Sequence, residues 1–321
     1  MKQFKRRSKL IASGLMVMGV LLAAIGFFSG AKFSIIQTDD GLKAVGKEDR
    51  KQEEWDLKEF KSLEIDVADA DIEIIPSEEF RLEVERMEGN EITQEVNNNT
   101  LILKEKNTKS IFSFSMNLSG NIQRTIIKVY IPKVSDLDDV NIDNKFGDIK
   151  MDGMNINNLS IQSNDGTVNI NEIKANSLTV HNKFGNITAS NVNTTEITLE
   201  SNDGDINLSK MNITKNADFI NLFGDTTLRD FTSNGTKIES TDGEININGE
   251  LFGQSVIESN FGDVQLALAN KESELSYDIH NSFGSIMVNG TELVTKSSNS
   301  GQSEDKLNIR SKDGDIDVTL E

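Results

Sequence analysis

The sequence predicts an all-β chain: a parallel β-solenoid, or β-helix, of about ten coils of ~19 residues, preceded by an N-terminal transmembrane helix. Three observations carry this. A glycine-centred phrase recurs along most of the chain, the residues around it alternate apolar and polar, and one long uncharged run stands near the N-terminus behind a basic cluster.

The N-terminal segment comes first. Lys2, Lys5, Arg6, Arg7 and Lys9 make residues 1–9 strongly basic, and Leu10 to Phe28 then runs 19 residues without a charge. At helical rise that run is roughly 28 Å long, close to the hydrocarbon thickness of a bilayer. Basic flanks stay cytoplasmic, so the reading is a single-pass anchor over 1–31 with the remainder outside the cell membrane. A cleaved signal peptide ending at Ser29, Gly30 and Ala31 is the alternative, although the apolar run exceeds the usual h-region. Residues 32–55, including "TDDGLKAVGKEDRKQEEW" at 38–55, read as a charged stalk, a loose linker with at most a helical turn or two near Lys47 to Trp55.

Residues 56–135 read as an irregular β capping region. Phe80 to Glu85, Thr100 to Lys104, Ile111 to Met116 and Thr125 to Ile131 have strand character, and Asn97, Asn98 and Asn99 mark a turn. Leu63 to Ile74 fits the repeat itself, with Ala70 in the glycine position, and reads as a degenerate first coil.

The regular repeats occupy 136–321. Glycines 147, 166, 185, 204, 224, 243, 262, 284 and 314 are separated by 19, 19, 19, 20, 19, 19, 22 and 30 residues. Five residues before each stand Ile142, Ile161, Val180, Leu199, Phe219, Ile238, Ile257, Ile279 and Ile309, and apolar residues recur two and four positions after it. Such alternation is a strand signal, and the change of phase across each glycine marks a corner where φ > 0 is admissible. A single unit cannot bury its apolar face, but stacked units at strand spacing can, giving a rod on the order of 50 Å. Within the repeat, the residue before glycine alternates Phe146, Asp165, Phe184, Asp203, Phe223, Asp242, Phe261. Three before glycine, Asn and Ser alternate in step as far as Ser240, so the unit is a pair of coils. The Phe column reads as core, with smaller Asp residues between, and the Asn/Ser column as a hydrogen-bonded ladder. The polar segment "TKSSNSGQSED" at 295–305 reads as an insertion, and Glu321 as the end of a last coil with an open edge.

These features resemble a known family. "LEIDVADADIEIIP" at 63–76, "IIKVYIPK" at 126–133 and the repeats "NKFGDIKM" and "SNDGDINL" resemble the bacterial "putative adhesin" family with β-strand repeats, a domain of unknown function, over roughly residues 56–321. With its anchor the chain is similar to membrane-anchored LiaG-type proteins of Gram-positive cell-envelope stress systems. The resemblance implies location and context, and it supplies no catalytic residues.

Composition narrows the function. With Lys+Arg 33 against Asp+Glu 52 the net charge is −19, which opposes nucleic-acid binding. The absence of cysteine excludes disulfides, thiolate catalysis and zinc–cysteine sites. His181 and His280 lie too far apart in sequence for a local metal motif and read as exposed surface residues. No cofactor is implied. The candidate ligand-facing feature is an acidic stripe one residue after glycine: Asp148, Asp205, Asp225, Glu244, Asp263 and Asp315. It would suit cationic peptides, envelope proteins with basic regions, or divalent ions shared with anionic wall polymers, or serve as a solvated turn. Trp55, Tyr130 and Tyr277 share no repeat position, so they form no sugar-stacking platform. The expectation is a non-catalytic, adhesin-like or stress-sensing module at the cell envelope. A polysaccharide-acting enzyme or a passive spacer is the alternative, and oligomerisation is left open.

Overall fold

The computed structural model describes residues 14–26, 34–38, 41–45, 50–87, 90–106, 124–293, 296–299 and 304–321. It divides into two units.

The smaller unit holds a helix over 14–26 and an antiparallel pair, Ser34–Thr38 with Gly41–Val45. Among the described residues no helix is long and apolar enough to cross a membrane. Residues 10–13, 27 and 28 of the expected span lie outside those described. Both strands fall within the stretch read as a charged stalk.

The larger unit is built on parallel pairing at an offset of one repeat. Ile149–Asp165 pairs with Val168–Phe184, which pairs with Ile187–Asp203, each residue opposite its counterpart one phrase later. Ile161, Val180 and Leu199 are consecutive partners and fully buried. Because parallel pairing superimposes like positions, the apolar columns become a continuous spine that runs on through Phe219, Ile238 and Ile257. This is the pattern of a β-solenoid, and each turn is named below by its glycine.

Glycine is obligatory at the corner for a reason beyond its φ. At Gly185 φ is +109°, and a Cβ there would stand 2.4 Å from the carbonyl oxygen of Gly166. Every repeat glycine after Gly147 makes the same close approach to the glycine before it in the stack. Ala70 heads the column: its carbonyl oxygen would lie 2.2 Å from a Cβ on Gly147.

Chain order and stack order differ at both ends. Ser62–Ser77 is not the outermost winding. Its first half lies between Thr100–Glu105 and Asp136–Phe146, with Leu63 flanked by Leu101 and Val140. Its second half lies between Thr125–Pro132 and Ile149–Asp165, with Ile72 flanked by Ile127 and Ile149. The outer winding is then covered by antiparallel strands: Ile92–Asn97 on Thr100–Glu105, and Arg81–Met87 on Thr125–Pro132. The turn at Asn98 and Asn99, with φ of 48° and 62°, closes the first of these hairpins. The expected strand Ile111 to Met116 lies outside the described residues. Arg50–Asp56 is a strand and not the helical turn suggested by its charges. Arg86 grips Glu53 through two nitrogens at 2.8 and 2.9 Å, and Arg81 meets Glu54 at 2.8 Å.

The C-terminal end repeats the device. Lys306–Asp313 inserts between Ile245–Phe261 and Ser276–Phe283, and Ile316–Leu320 inserts between Val264–Leu268 and Ile286–Val288. The stack therefore runs Gly243, Gly262, Gly314, Gly284. The open edge expected after Glu321 does not exist. The last stretch of chain is interior, and the Gly284 winding is outermost. Thr291–Leu293 pairs with it antiparallel, as does Lys296–Asn299 from the segment read as an insertion, and these strands cover the edge.

Candidate functional site

The spatial order completes a regularity that chain order breaks. In sequence Phe283 follows Phe261, and the alternation fails; in space Asp313 pairs with both. At the other end Asp69 pairs with Phe146. The corner column thus reads, winding by winding, Asp69, Phe146, Asp165, Phe184, Asp203, Phe223, Asp242, Phe261, Asp313, Phe283.

This column is not core. Phe146, Phe184, Phe223 and Phe261 are 47 to 53% exposed, and Phe283, with a neighbouring winding on one side only, is 72% exposed. The apolar phase ends at the buried Asn or Ser three residues before glycine, and both following residues face outward. Sequence parity placed Phe on the core side because it assumed one reversal at the glycine. The better signal was the alternation itself: a position occupied by Asp at every second winding must face water, since an unpaired buried carboxylate is prohibitively costly.

The Asn of the buried column clamps the glycine strip from within. Asn182 donates to the carbonyls of Gly166 and Gly185, both at 2.9 Å, and Asn144 to those of Ala70 and Gly147 at 2.7 and 3.3 Å. Asn281 does the same to Gly314 at 2.7 Å. The expected ladder of Asn and Ser bonded to one another does not form: the Asn amides and Ser201 donate to backbone, while the hydroxyls of Ser163, Ser240, Ser259 and Ser311 are buried without a partner among the described residues. The glycine carbonyls lie nearer, and buried backbone acceptors require partners.

On the far side of the glycine the acidic stripe is placed as a set of staples. Asp148 Oδ1 accepts the N–H of Thr167 at 2.8 Å, and Asp205 Oδ1 that of Asp225 at 3.0 Å. Asp225 Oδ1 accepts from Glu244 at 2.9 Å, and Asp263 Oδ1 from Asp315 at 2.8 Å. Asp315 Oδ1 accepts both the N–H and the hydroxyl of Ser285, at 2.8 and 2.9 Å, which holds its carboxyl below the usual carboxylate range. Five of the six candidates thus use one oxygen to tie successive windings. The corner face consists of a Phe/Asp column, a strip of bare glycine backbone and a column of stapling carboxylates.

Other candidates do not converge. His181 Nδ1 lies 2.7 Å from Glu200 on the next winding, and His280 is exposed. Among the described residues no group of three or more His, Cys, Asp or Glu side chains could hold a metal ion. Asp278 is held low by its bond to Arg310 at 2.8 Å.

The model of the Toastrack DUF4097 family matches residues 60–319, the span of this winding and its covering strands. The chain belongs to that family. Solved structures resembling this family member include two named "putative adhesin". That from Bacteroides fragilis is 16% identical with a TM-score of 0.36, covering 85% of this chain and 97% of the other. That from Parabacteroides distasonis is 10% identical with a TM-score of 0.43, covering 84% and 96%. A third, a "putative lipid binding protein" from Parabacteroides distasonis, is 14% identical with a TM-score of 0.34, covering 84% and 98%. At these values none carries a functional argument. No curated protein matches the chain.

Proposed function

We propose that this protein is a non-catalytic binding module of the cell envelope, held by an N-terminal membrane anchor and displayed outside the cell. The observation that carries the binding role is the corner face. It repeats the same exposed side chains at a fixed spacing along the stack, whereas the reactive residue types are scattered or tied up in staples. Its acidic side chains suit basic or hydrogen-bond-donating partners and repel anionic ones. The anchor rests on the basic residues 1–9 and the uncharged run Leu10 to Phe28. Leu15, Met16, Leu22 and Ile25 of the helix over 14–26 are all exposed, as lipid-facing positions require.

Two measurements test this reading on the full chain. Protease added to intact cells should digest a C-terminal tag while the N-terminus stays protected, and a protected tag would refute the topology. The purified chain in lipid nanodiscs should cosediment with insoluble envelope material without releasing soluble fragments from it. Failure to cosediment would refute the binding role, and released fragments would point to an enzyme.

A further inference from the structure

The exposed Phe ladder has a pitch, and the pitch identifies a class of partner. Neighbouring windings lie about 4.8 Å apart, so successive Phe rings recur at about 9.6 Å, with a carboxylate midway between them. We propose that this ladder is the track for one β-1,4-linked N-acetylhexosamine chain lying along the stack. The inference rests on the envelope-binding role above and names its ligand.

Three features of the face lead there. First, an extended β-1,4-linked pyranose chain advances per sugar by nearly one strand spacing and turns over at each linkage, so the same sugar face recurs at every second residue. The two-winding unit has that two-fold repeat. Second, the chemistry alternates in the same way. A pyranose presents a face of axial C–H bonds, which the electron-rich face of a Phe ring attracts. The intervening Asp165, Asp203 and Asp242 are acceptors only, matched by hydroxyl and acetamido N–H donors that a lipid tail lacks. Third, the floor beside the ladder stays bare along its length, because no Cβ fits at the repeat glycines. An uncharged polymer can lie in that track. An anionic one meets the stapling carboxylates, and a second copy of this face would bring carboxylate against carboxylate.

The test uses full-length protein in nanodiscs and calorimetric titration with chitohexaose, cellohexaose and the α-1,4-linked maltohexaose. Chitohexaose should bind, at least tenfold more tightly than chitobiose, because the longer chain spans more than one Phe. Cellohexaose should bind more weakly, and maltohexaose, which coils away from a straight track, should not bind. Phe184→Ala and Phe223→Ala should each weaken chitohexaose at least tenfold with unchanged thermal unfolding, since both rings lie outside the core. No binding of chitohexaose, equal binding of either other hexaose, or unchanged affinity in both variants would overturn the proposal. So would a concentration-dependent dimer abolished by the same substitutions, which would assign the ladder to a second copy. If chitohexaose fails while envelope cosedimentation persists, the glycan assignment falls and the binding role stands.

Discussion

At the scale of single residues, the corner glycines and their neighbours set the tolerances. Gly185→Ala places a methyl 2.4 Å from a backbone oxygen at φ of +109°, and the oxygen belongs to a hydrogen-bonded ladder that cannot move alone. The substitution should cost about 3 kcal/mol in urea unfolding, within the range of backbone strain combined with overpacking. Gly290→Ala, also at positive φ but with nothing within 4 Å, should cost only about 1 kcal/mol, the penalty of the left-handed conformation alone. Similar losses at the two sites would mean that the close approach is unimportant. Asp315 adds a dependence on pH. Its folded-state pKa is lowered by the Ser285 donors, so the unfolded chain binds the proton more readily. Its contribution is therefore present above the ordinary carboxylate range and lost as pH falls through the lowered value. Asp278, lowered by Arg310, adds to the same acid-side loss, while Asp69, raised chiefly by burial, opposes it. Asp315→Asn keeps an acceptor for Ser285, as Asn186 does for the N–H of Asp205 at 2.9 Å. It should leave the urea midpoint near neutral pH unchanged and reduce the midpoint's fall in acid; an unaltered acid profile would contradict this role for the carboxylate.

At the scale of the winding, the carboxylate staples solve an accounting problem. The corner glycine and the residue two after it both enter the backbone ladder, as the bonds from Gly185 N–H to the Asp203 carbonyl and from Ile187 N–H to the Asp205 carbonyl show. The N–H immediately after most of the glycines is satisfied instead by a side chain of the preceding winding; Asn186, which faces Thr167, and Asp263, which faces Glu244, are the exceptions. Glu244 is the one acidic member that breaks the series among the described residues, being one methylene too long to accept from Asp263 as Asp225 accepts from Glu244. Glu244→Asp should restore the bond and raise stability by about 1 kcal/mol, an ordinary net hydrogen-bond contribution; an unchanged or lowered midpoint would count against the staple. The columns themselves were legible in the sequence because parallel pairing preserves position: Ile161, Val180 and Leu199 could be read as one pillar from spacing alone. Which way the corner side chains face was not, since period-2 parity says nothing about where a turn reverses it. The use of Asp as a staple was equally hidden, because the same residue type in the same column also fits a solvated turn.

At the scale of the whole stack, both ends place a winding out of chain order inside the stack and cover the outermost winding with antiparallel strands. Parallel edges are hard to close with short connections, whereas a hairpin needs two residues, as at Asn98 and Asn99. The Asp/Phe alternation in space extends through both rearrangements, which makes the pair of windings the structural unit and gives a test that removes chain without touching either end. Excising residues 148–185, one whole pair, brings Phe146 opposite Asp203 and Asn144 opposite Ser201, so every column keeps its alternation. Excising residues 148–166, a single winding, brings Phe146 opposite Phe184 and Asn144 opposite Asn182, although half as much core is lost. In a linear stack each unit contributes its own stability and its interfaces with neighbours, so the shorter excision should do the greater damage. The pair deletion should unfold cooperatively with a midpoint near that of the full chain. The single deletion should lose hydrogen-exchange protection at the new junction, from Val140 to Phe146 and from Leu178 to Phe184. If the two deletions behave alike, one winding is the unit and the alternation of the buried Asn and Ser has no part in the packing.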